Sequence, residues 1–265
     1  MHRFFLPAGS FSSDAVLFPP ETANQIRRVL RLRDGERVVA LKREGRGFLV
    51  ELTVDDRAVQ GRIVGEAESG HETPYRLTLL TPVTRREKFE WVLQKCTEAG
   101  VGRFLPTISE RSLIRSAADL AGKRERWEKI ILEAAEQSGR DRVPELMEPT
   151  TFEAAIAART EDLPADPSLS PGSDPLPALP SGSLKVLFWE EAEELTLRAL
   201  LEGTRRTGMP SDVYLAVGPE GGYGAGEAAA ARLAGWRIAT LGKRILRMET
   251  AALAAVLLTN YGLEM

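Results

Sequence analysis

The sequence contains the stretch VGPEGG at residues 217–222 and, further along, the stretch LGKRILRMET at residues 241–250. Each stretch follows a short apolar run typical of a strand and precedes a segment with helical spacing. In α/β proteins, ligands bind outside the carboxyl ends of the strands, where helix N-termini offer unpaired backbone N–H groups. Two such loops in succession predict an α/β fold in which both loops form one ligand site.

Neither loop matches a common nucleotide-binding motif. The glycines of the first loop do not have the G-x-G-x-x-G spacing of dinucleotide-binding folds. In the second loop, Gly242 and Lys243 resemble part of a phosphate loop, but Arg244 stands where Ser or Thr must hold magnesium. Gly-rich turns between a strand and a helix are also common without a ligand, so a purely structural turn is the alternative for the first loop.

Length and composition set limits on the class of protein. With 265 residues and 43% hydrophobic content, the chain is long enough for one large or two modest domains. One cysteine and two histidines are too few for a Cys/His zinc site, so no metal is expected. The sequence has no apolar run of membrane-spanning length, and its first residues do not form a signal peptide. We therefore expect a cytoplasmic protein with no membrane partner.

The charged residues are unevenly distributed. The net charge of −3 alone argues against a nucleic-acid-binding protein. However, residues 27–46 hold eight basic and three acidic residues, whereas residues 145–202 hold twelve acidic and three basic ones. Clustered basic side chains bind phosphates through local counterion release, so the first segment predicts a nucleic-acid-binding surface, with a solvated helix face as the alternative. The candidates in this segment are Arg27, Arg28, Arg31 and Arg33.

The pattern of the chain changes near Pro74. Before it, short alternating segments predict a small β-barrel, and after it, strands and helices alternate, which predicts a parallel sheet. We expect residues 1–72 to form one domain and residues 73–265 a second. The barrel strands are predicted at residues 37–41, 47–52 and 59–64.

Two further features lie in the second domain. Residues 161–183 hold six of the sixteen prolines, among Ser, Gly and Asp, and are expected to be a solvated loop insertion. Cys96 is the one cysteine, and it lies on the apolar face of the helix predicted over residues 88–99. This position favours a small core residue over a nucleophile.

Four separated motifs resemble one family of enzymes. In chain order they are HRFF at 2–5 with VLR at 29–31, QKCTEAGV at 94–101, EQSGR at 136–140 with VP at 143–144, and ILRMETA at 245–251. Together they are similar to the SPOUT superfamily of S-adenosylmethionine-dependent RNA methyltransferases, and within it to the RsmE family, which methylates uracil N3 in 16S ribosomal RNA. The ribose 2′-O branch carries a Ser-Leu-Asn-Val-Ser-type segment where this chain has LRMET, which favours a base as the target.

The resemblance implies an architecture, a cofactor and partners. A SPOUT-type parallel sheet with a C-terminal trefoil knot is expected, preceded by a small PUA-like β-barrel that binds RNA. The implied partners are S-adenosylmethionine, 16S ribosomal RNA within the small ribosomal subunit, and a second copy in a homodimer. Residues 136–140 are expected to approach the site, which adds Arg140 to the RNA-binding candidates; a helix C-cap at Gly139 is the plainer alternative. The implied cofactor-binding residues are Phe188, Trp189, Val217, Gly218, Pro219, Glu220, Gly221, Gly222, Leu241, Gly242, Ile245, Leu246, Arg247 and Thr250.

The implied reaction has specific chemical needs. When the imide proton leaves uracil N3, negative charge spreads onto two carbonyl oxygens, and a cation aimed at them stabilises the transition state. Arg247 is the leading candidate because its planar guanidinium suits carbonyl oxygens, with a phosphate contact or a salt bridge to Glu249 as alternatives. Glu220 and Glu249 are candidate proton acceptors, and for each a role at a helix N-terminus is the alternative.

Two other functions remain open from the sequence. One is a methyltransferase of the same fold that acts on another RNA position, which the LRMET segment disfavours. The other is a noncatalytic RNA-binding protein of ribosome assembly that uses only the barrel and the basic segment, which the two glycine loops disfavour.

Overall fold

The chain folds into two units, each with its own sheet. The first comprises Met1–Glu72 and Leu132–Val143, and the second comprises Thr73–Ile131 and Pro144–Met265. From the sequence, residues 132–143 are expected in the C-terminal domain, whereas the structure groups them with the N-terminal unit. The computed structural model describes residues 1–43, 45–55, 58–114, 120, 122–157, 182–192 and 195–264.

The N-terminal unit is built on a curled five-stranded sheet. Its strands are β1 (Arg3–Leu6), β2 (Ala15–Leu17), β3 (Arg37–Lys42), β4 (Gly47–Val54) and β5 (Val59–Glu66). They lie in the order β1-β3-β4-β5-β2, with β1 and β3 parallel and the other neighbours antiparallel. Side chains such as Val38, Ala40 and Val50 are buried on its inner face. The three strands predicted in this region are confirmed.

A short helix lies against this sheet and ends in an unusual turn. Helix α1 (Pro20–Asn24) continues as a π-helical segment, Gln25–Leu30, whose Ile26 is fully buried in the core of the unit. The segment ends at Arg31, which has a left-handed φ of 56° and is the one such non-glycine residue in the described part of the chain. A left-handed conformation at a non-glycine residue is uncommon, and here it ends the helical segment among exposed basic residues.

The C-terminal unit contains a parallel sheet. Its strands are β6 (Arg76–Pro82), β7 (Arg103–Ile108), β8 (Glu145–Leu146), β9 (Thr150–Thr151), β10 (Ser183–Phe188), β11 (Asp212–Val217) and β12 (Arg237–Ala239). The main path runs β12-β10-β11-β6-β7-β8, and β9 pairs with β7. Each of these pairings is parallel, as the alternation of strands and helices predicts.

Helices connect these strands. They are α2 (Arg86–Glu98), α3 (Arg124–Ser138), α4 (Phe152–Ala157), α5 (Leu197–Thr207), α6 (Ala225–Leu233) and α7 (Met248–Glu264). The ring centroids of Phe89 on α2 and Trp127 on α3 lie 4.7 Å apart. Cys96 is fully buried on the apolar face of α2, and burial raises the pKa of its thiol. The interpretation of Cys96 as a core residue is confirmed.

A cluster of charged side chains holds residues 132–143 in the N-terminal unit. Asp141 accepts hydrogen bonds from the Arg3 guanidinium at 2.7 Å and from the N–H groups of Gly70 at 2.8 Å and His71 at 3.0 Å. Burial acts to raise the pKa of Asp141, but these hydrogen bonds and the charge of Arg3 lower it overall. The ionised carboxylate therefore ties residues 132–143 to two distant parts of the same unit.

Arg140 lies in the same cluster. Its side chain is 5% exposed, and its guanidinium pairs with the carboxylate of Glu72. A phosphate contact needs an accessible cation, so this buried ion pair corrects the expectation that Arg140 binds RNA. Gly139, with φ 78°, follows the last residue of α3, as expected for a helix C-cap.

Two sequence expectations concern the remaining part of the chain. The proline-rich insertion expected over residues 161–183 lies outside the described residues except for Gly182 and Ser183. In the described part, none of the helices combines the length and the apolar character needed to cross a membrane.

Candidate functional site

A pocket lies at one edge of the parallel sheet in the C-terminal unit. Strands β12, β10, β11 and β6 are neighbours, so their carboxyl ends, at Ala239, Phe188, Val217 and Pro82, lie side by side. The segments that follow these ends enclose a volume of about 440 Å³. The lining residues are Lys88, Phe188, Trp189, Glu190, Val217, Gly218, Pro219, Glu220, Gly222, Thr240, Leu241, Gly242, Lys243, Arg244, Ile245, Leu246, Arg247, Met248 and Ala251.

The structure brings both glycine loops to this pocket, as the sequence predicts. Twelve of the fourteen residues expected to hold the cofactor are among the lining residues. The two that are not are Gly221 and Thr250. The carbonyl of Gly221 instead accepts a hydrogen bond from the Arg111 guanidinium at 3.0 Å, and Thr250 is exposed on α7.

Two glycines shape the loop after β11. A Cβ on Gly218 would lie 3.2 Å from both the backbone nitrogen and the ring Cδ2 of Tyr223, which is tighter than ordinary packing. Gly222 has a φ of 67°, and a Cβ there would overlap the carboxylate of Glu190. The loop therefore needs glycine at both positions to keep its close approach to Tyr223 and Glu190.

Hydrogen bonds from neighbouring segments brace the same loop. The Glu227 carboxylate accepts hydrogen bonds from the N–H of Glu110 at 3.0 Å and from the N–H of Gly224 at 2.8 Å. In addition, the Trp189 indole N–H donates to the Tyr223 carbonyl at 3.0 Å. These bonds tie the loop to the segments after β7 and β10, so its backbone groups are held in place around the pocket.

The loop after β12 has its own turn. Strand β12 ends at Ala239, and in the turn that follows the Thr240 hydroxyl accepts from the Gly242 N–H at 3.1 Å and donates to its carbonyl at 3.0 Å. Gly242 has a φ of 123°, which side chains rarely allow. Beyond this turn the side chain of Ile245 is 88% exposed, so an apolar group stands open at the pocket.

Four side chains form a charged network beside the pocket. Glu220 Oε1 accepts a hydrogen bond from the Thr84 hydroxyl at 2.6 Å and lies 3.2 Å from Lys88 Nζ. The same Lys88 Nζ lies 3.7 Å from Oε2 of Glu249, the second residue of α7. Burial acts to raise the pKa of Glu220, but hydrogen bonds from Thr84, its own backbone N–H and Lys88, with the charge of Lys88, lower it overall.

Lys88 lines the pocket, but it was not predicted as a site residue from the sequence. It lies in the first turn of α2, directly after β6, and β6 is the neighbour of β11 in the sheet. A strand followed by a helix was predicted in this region, so the sequence did indicate that Lys88 lies just after a strand end. The sequence did not predict that β6 pairs with β11, and this pairing is what brings Lys88 to Glu220.

Arg247 lies at the pocket with an exposed side chain. Within the described residues, its guanidinium makes no hydrogen bond or ion pair, and Glu249 pairs with Lys88 instead. The alternative that Arg247 forms a salt bridge with Glu249 is therefore wrong for this structure. The guanidinium is left available to a ligand.

The basic candidates of the N-terminal unit also have defined environments. Arg28, Arg31 and Arg33 are exposed, whereas Arg27 is half-buried and donates to the Asp55 carbonyl at 3.0 Å. Arg31 has the left-handed conformation, and Arg28 and Arg33 lie on either side of it along the chain. These three exposed arginines are called the basic turn below.

Comparison with known proteins determines the family. A family model described as an RNA methyltransferase domain matches residues 71–260. The chain belongs to the RNA methyltransferase family. The methyltransferase is 30% identical to ribosomal RNA small subunit methyltransferase E of Synechocystis sp. over 90% of its own length and 70% of the relative. It is also 30% identical to the protein of that name from Aquifex aeolicus, over 88% and 90% of the two chains.

Solved structures extend the likeness to the fold. Ribosomal RNA small subunit methyltransferase E from Neisseria gonorrhoeae, bound to S-adenosyl methionine, matches the methyltransferase with a TM-score of 0.78 and 30% identity. The match covers 98% of this chain and 97% of that chain. The mixed α/β fold, with its parallel sheet and its curled N-terminal sheet, is therefore that of the RsmE family, as the four motifs indicate.

Proposed function

We propose that this methyltransferase transfers a methyl group from S-adenosylmethionine to N3 of one uridine in 16S ribosomal RNA, within the cytoplasmic small ribosomal subunit. The observation that carries the proposal is the pocket in which both glycine loops meet beside the unpaired guanidinium of Arg247. The names of the relatives from Synechocystis sp. and Aquifex aeolicus support the small-subunit ribosomal RNA substrate. The choice of uracil N3 rests on the resemblance to RsmE enzymes.

The residues of the pocket fit S-adenosylmethionine. The volume of about 440 Å³ lies in the range of small-molecule sites, roughly 300–1,000 Å³. Phe188, Leu241 and Leu246 offer apolar surface to an adenine, while the glycine-rich backbone offers N–H and carbonyl groups. The carboxylates of Glu190 and Glu220 complement a positively charged ligand. When bound, S-adenosylmethionine supplies a methyl group that is already activated by a positively charged sulfur.

The protein then needs only to position the acceptor and assist its deprotonation. Arg247 is suited to the two uracil oxygens that gain negative charge, because its guanidinium is planar and has no partner among the described residues. A carboxylate beside the pocket is suited to the imide proton, and Glu220 and Glu249 both lie there. These groups supply both functions that methylation of N3 requires.

The proposal is tested by analysing ribosomal RNA nucleosides by mass spectrometry in cells with and without this protein. We expect 3-methyluridine of the small-subunit RNA to disappear when the protein is absent and to return when it is restored. Loss of a different methylated nucleoside would move the reaction to another RNA position. An unchanged nucleoside profile, together with calorimetry showing no S-adenosylmethionine binding, would indicate a noncatalytic assembly protein.

We also propose that the N-terminal unit is a PUA-like barrel that binds the RNA. Its curled five-stranded sheet and the exposed side chains of the basic turn support this role. Guanidinium groups that point into solvent are available to phosphate oxygens without breaking contacts inside the protein.

Changing Arg28, Arg31 and Arg33 together to alanine should weaken RNA binding and its dependence on salt. Each lost phosphate contact should reduce the slope of log affinity against log salt by about one. Fluorescence anisotropy with a labelled RNA fragment at several salt concentrations measures this slope. Affinity for S-adenosylmethionine should stay the same, and an unchanged salt slope would place the RNA surface elsewhere on the protein.

A trefoil knot in the C-terminal unit is a further part of the proposal. After β12 the Thr240 N–H donates to the Leu195 carbonyl at 2.9 Å, and the Leu197 N–H donates to the Thr240 carbonyl at 3.2 Å. These bonds hold residue 240 against the segment between β10 and α5, and α7 then begins at Met248. This path is consistent with a C-terminal segment that passes through the loop after β10. An experimental structure in which α7 passes outside that loop would contradict the knot.

We propose that two copies of the chain form a dimer through α7. One side of this helix leaves large apolar side chains exposed, with Leu257 at 49%, Leu258 at 48% and Tyr261 at 66%. A second copy is the occupant that the SPOUT resemblance implies. Met248 and Ala251 of the same helix line the pocket, so a copy docked on α7 would lie close to it.

Leu257→Ala should weaken this dimer. Loss of a buried leucine side chain removes ~1.5–3 kcal/mol of apolar burial, which corresponds to roughly tenfold or more in the dimer dissociation constant. Sedimentation velocity over a range of concentrations measures that constant. Leu233→Ala is the matched control, because Leu233 on α6 is 91% exposed and should not contribute. Equal dissociation constants for Leu257→Ala and wild type would place the interface elsewhere.

A further inference from the structure

We propose that Glu249 accepts the N3 proton of the uracil, that Lys88 positions its carboxylate, and that Glu220 holds Lys88 rather than acting as the base. This inference rests on the proposed uracil-N3 methylation and assigns roles within the same site. It separates two glutamates that the sequence leaves equivalent. The separation comes from how each carboxylate uses its hydrogen-bonding capacity.

Glu220 is already engaged by the protein. Its Oε1 accepts from the Thr84 hydroxyl at 2.6 Å and from Lys88 Nζ at 3.2 Å. Both donors stabilise the ionised form, and together with the backbone N–H they lower the pKa of Glu220 against the effect of burial. A carboxylate with a lowered pKa, one oxygen of which already accepts two hydrogen bonds, is a weak proton acceptor, so Glu220 is suited to anchoring Lys88.

Glu249, in contrast, has a carboxylate oxygen with no hydrogen-bond donor within reach among the described residues. Its Oε2 is shielded from solvent and has no hydrogen-bond partner in the described structure, although the side chain as a whole keeps 17% of its surface exposed. The nearest cation is Lys88 Nζ at 3.7 Å, which is too long for a hydrogen bond. A buried acceptor without a donor is costly and calls for an explanation. A carboxylate waiting for the N–H of a bound base provides one.

The position of Glu249 supports this assignment. It lies two residues after Arg247, in the first turn of α7, and the residues on either side in that turn, Met248 and Ala251, line the pocket. One short segment therefore places a cation for the uracil oxygens in the pocket lining, and two residues further on a carboxylate for the imide proton, which lies beside the lining residue Lys88. Lys88 joins this segment to the loop after β11 by pairing with both glutamates.

The proton transfer balances without any further reactant. The N3–H bond breaks, and the proton passes to a carboxylate oxygen of Glu249. The electron pair of that bond stays on N3 and would form the new bond to the methyl carbon, while the carbon–sulfur bond of a bound S-adenosylmethionine breaks and its electron pair goes to the sulfur, which leaves as the neutral thioether. Lys88 takes no part in the transfer and holds its position beside the carboxylate. The neutral glutamic acid then returns its proton to water.

The test compares the single-turnover rates of Glu249→Gln and wild-type protein across pH. Glutamine keeps the shape of the side chain but cannot accept the proton, so the rate at neutral pH should fall by about 10²- to 10⁴-fold. The wild-type rate should level off as the pH rises, because the carboxylate is then the acceptor in every molecule. The Glu249→Gln rate should instead keep rising with pH, because hydroxide is then the remaining acceptor. A purely structural loss would lower the rate equally at every pH.

Further measurements distinguish loss of the base from loss of cofactor binding or of structure. Calorimetry should show that Glu249→Gln binds S-adenosylmethionine within about twofold of wild type, and formate should restore part of the rate of Glu249→Ala. Glu220→Gln and Lys88→Met should lose less rate than Glu249→Gln, and Glu220→Gln should keep the levelled pH profile. Glu264→Gln, at the other end of α7, is the matched control with an unchanged rate.

Two results would overturn the inference while leaving the proposed function intact. One is an active wild-type protein whose Glu249→Gln variant keeps the wild-type rate and pH profile. The other is transfer of the hydroxide-dependent profile to Glu220→Gln, which would exchange the two glutamates. A wild-type protein that binds no S-adenosylmethionine and leaves uridine unmodified would instead overturn the proposed function, and the inference with it.

Discussion

Replacing Arg247 with alanine should lower the single-turnover rate of methyl transfer by about 10²- to 10³-fold, the usual loss for one donor aimed at a developing oxyanion. The guanidinium is exposed at the pocket and has no partner among the described residues, so its removal should not disturb the fold. Because negative charge on the uracil oxygens develops only as the proton leaves, the loss should appear in the rate at saturating RNA and cofactor.

Binding measurements separate this role from a phosphate contact. Affinities of Arg247→Ala for RNA and for S-adenosylmethionine should change little, and Arg205→Ala, an exposed arginine on α5, should behave as wild type. If the RNA affinity of Arg247→Ala falls and its saturated rate holds, Arg247 binds a phosphate. The charge on the uracil oxygens would then need another donor.

Gly218→Val should weaken S-adenosylmethionine binding by roughly 5- to 150-fold, because overpacking of this kind costs ~1–3 kcal/mol. A Cβ at this position already lies 3.2 Å from the backbone and ring of Tyr223, and valine adds two methyl groups. The loop must then move away from the close path that its bracing by Glu227 and Trp189 imposes. Isothermal titration calorimetry measures the change in affinity.

The control for this variant lies in the same region. Gly226→Val sits in the first turn of α6, where a Cβ meets no atom within 4 Å, so its cofactor affinity should stay close to wild type. Circular dichroism should show that both variants are folded. An unchanged affinity in folded Gly218→Val would exclude the loop after β11 as the cofactor site.

Local features of this protein were predictable from its sequence. The alternation of apolar residues in β3, β4 and β5, and the helical spacing of Phe89, Val92 and Cys96 in α2, depend only on neighbours along the chain. The two glycine loops were recognisable for the same reason, since each follows a strand and precedes a helix. These signals also predicted that both loops face one site.

Features that depend on distant pairing were not predictable in the same way. Arg140 carries the same charge as the exposed arginines, and only its contact with Glu72 shows that it is buried. Glu220 and Glu249 look alike as residues near helix starts, and their difference arises from Lys88 and Thr84, which β6 brings beside β11. No local sequence pattern predicts which strands become neighbours in the sheet.

The order of the strands in the sheet has a consequence for biosynthesis. The pocket is walled by residues from Lys88, early in the C-terminal unit, to Ala251 in α7, and the loop after β12 and the start of α7 are translated after the other walls. A nascent chain that has emerged from the ribosome only as far as Gly222 carries the VGPEGG loop but lacks the rest of the enclosure. The pocket therefore forms only once the start of α7 has been synthesised, and neither cofactor binding nor catalysis can begin before that point.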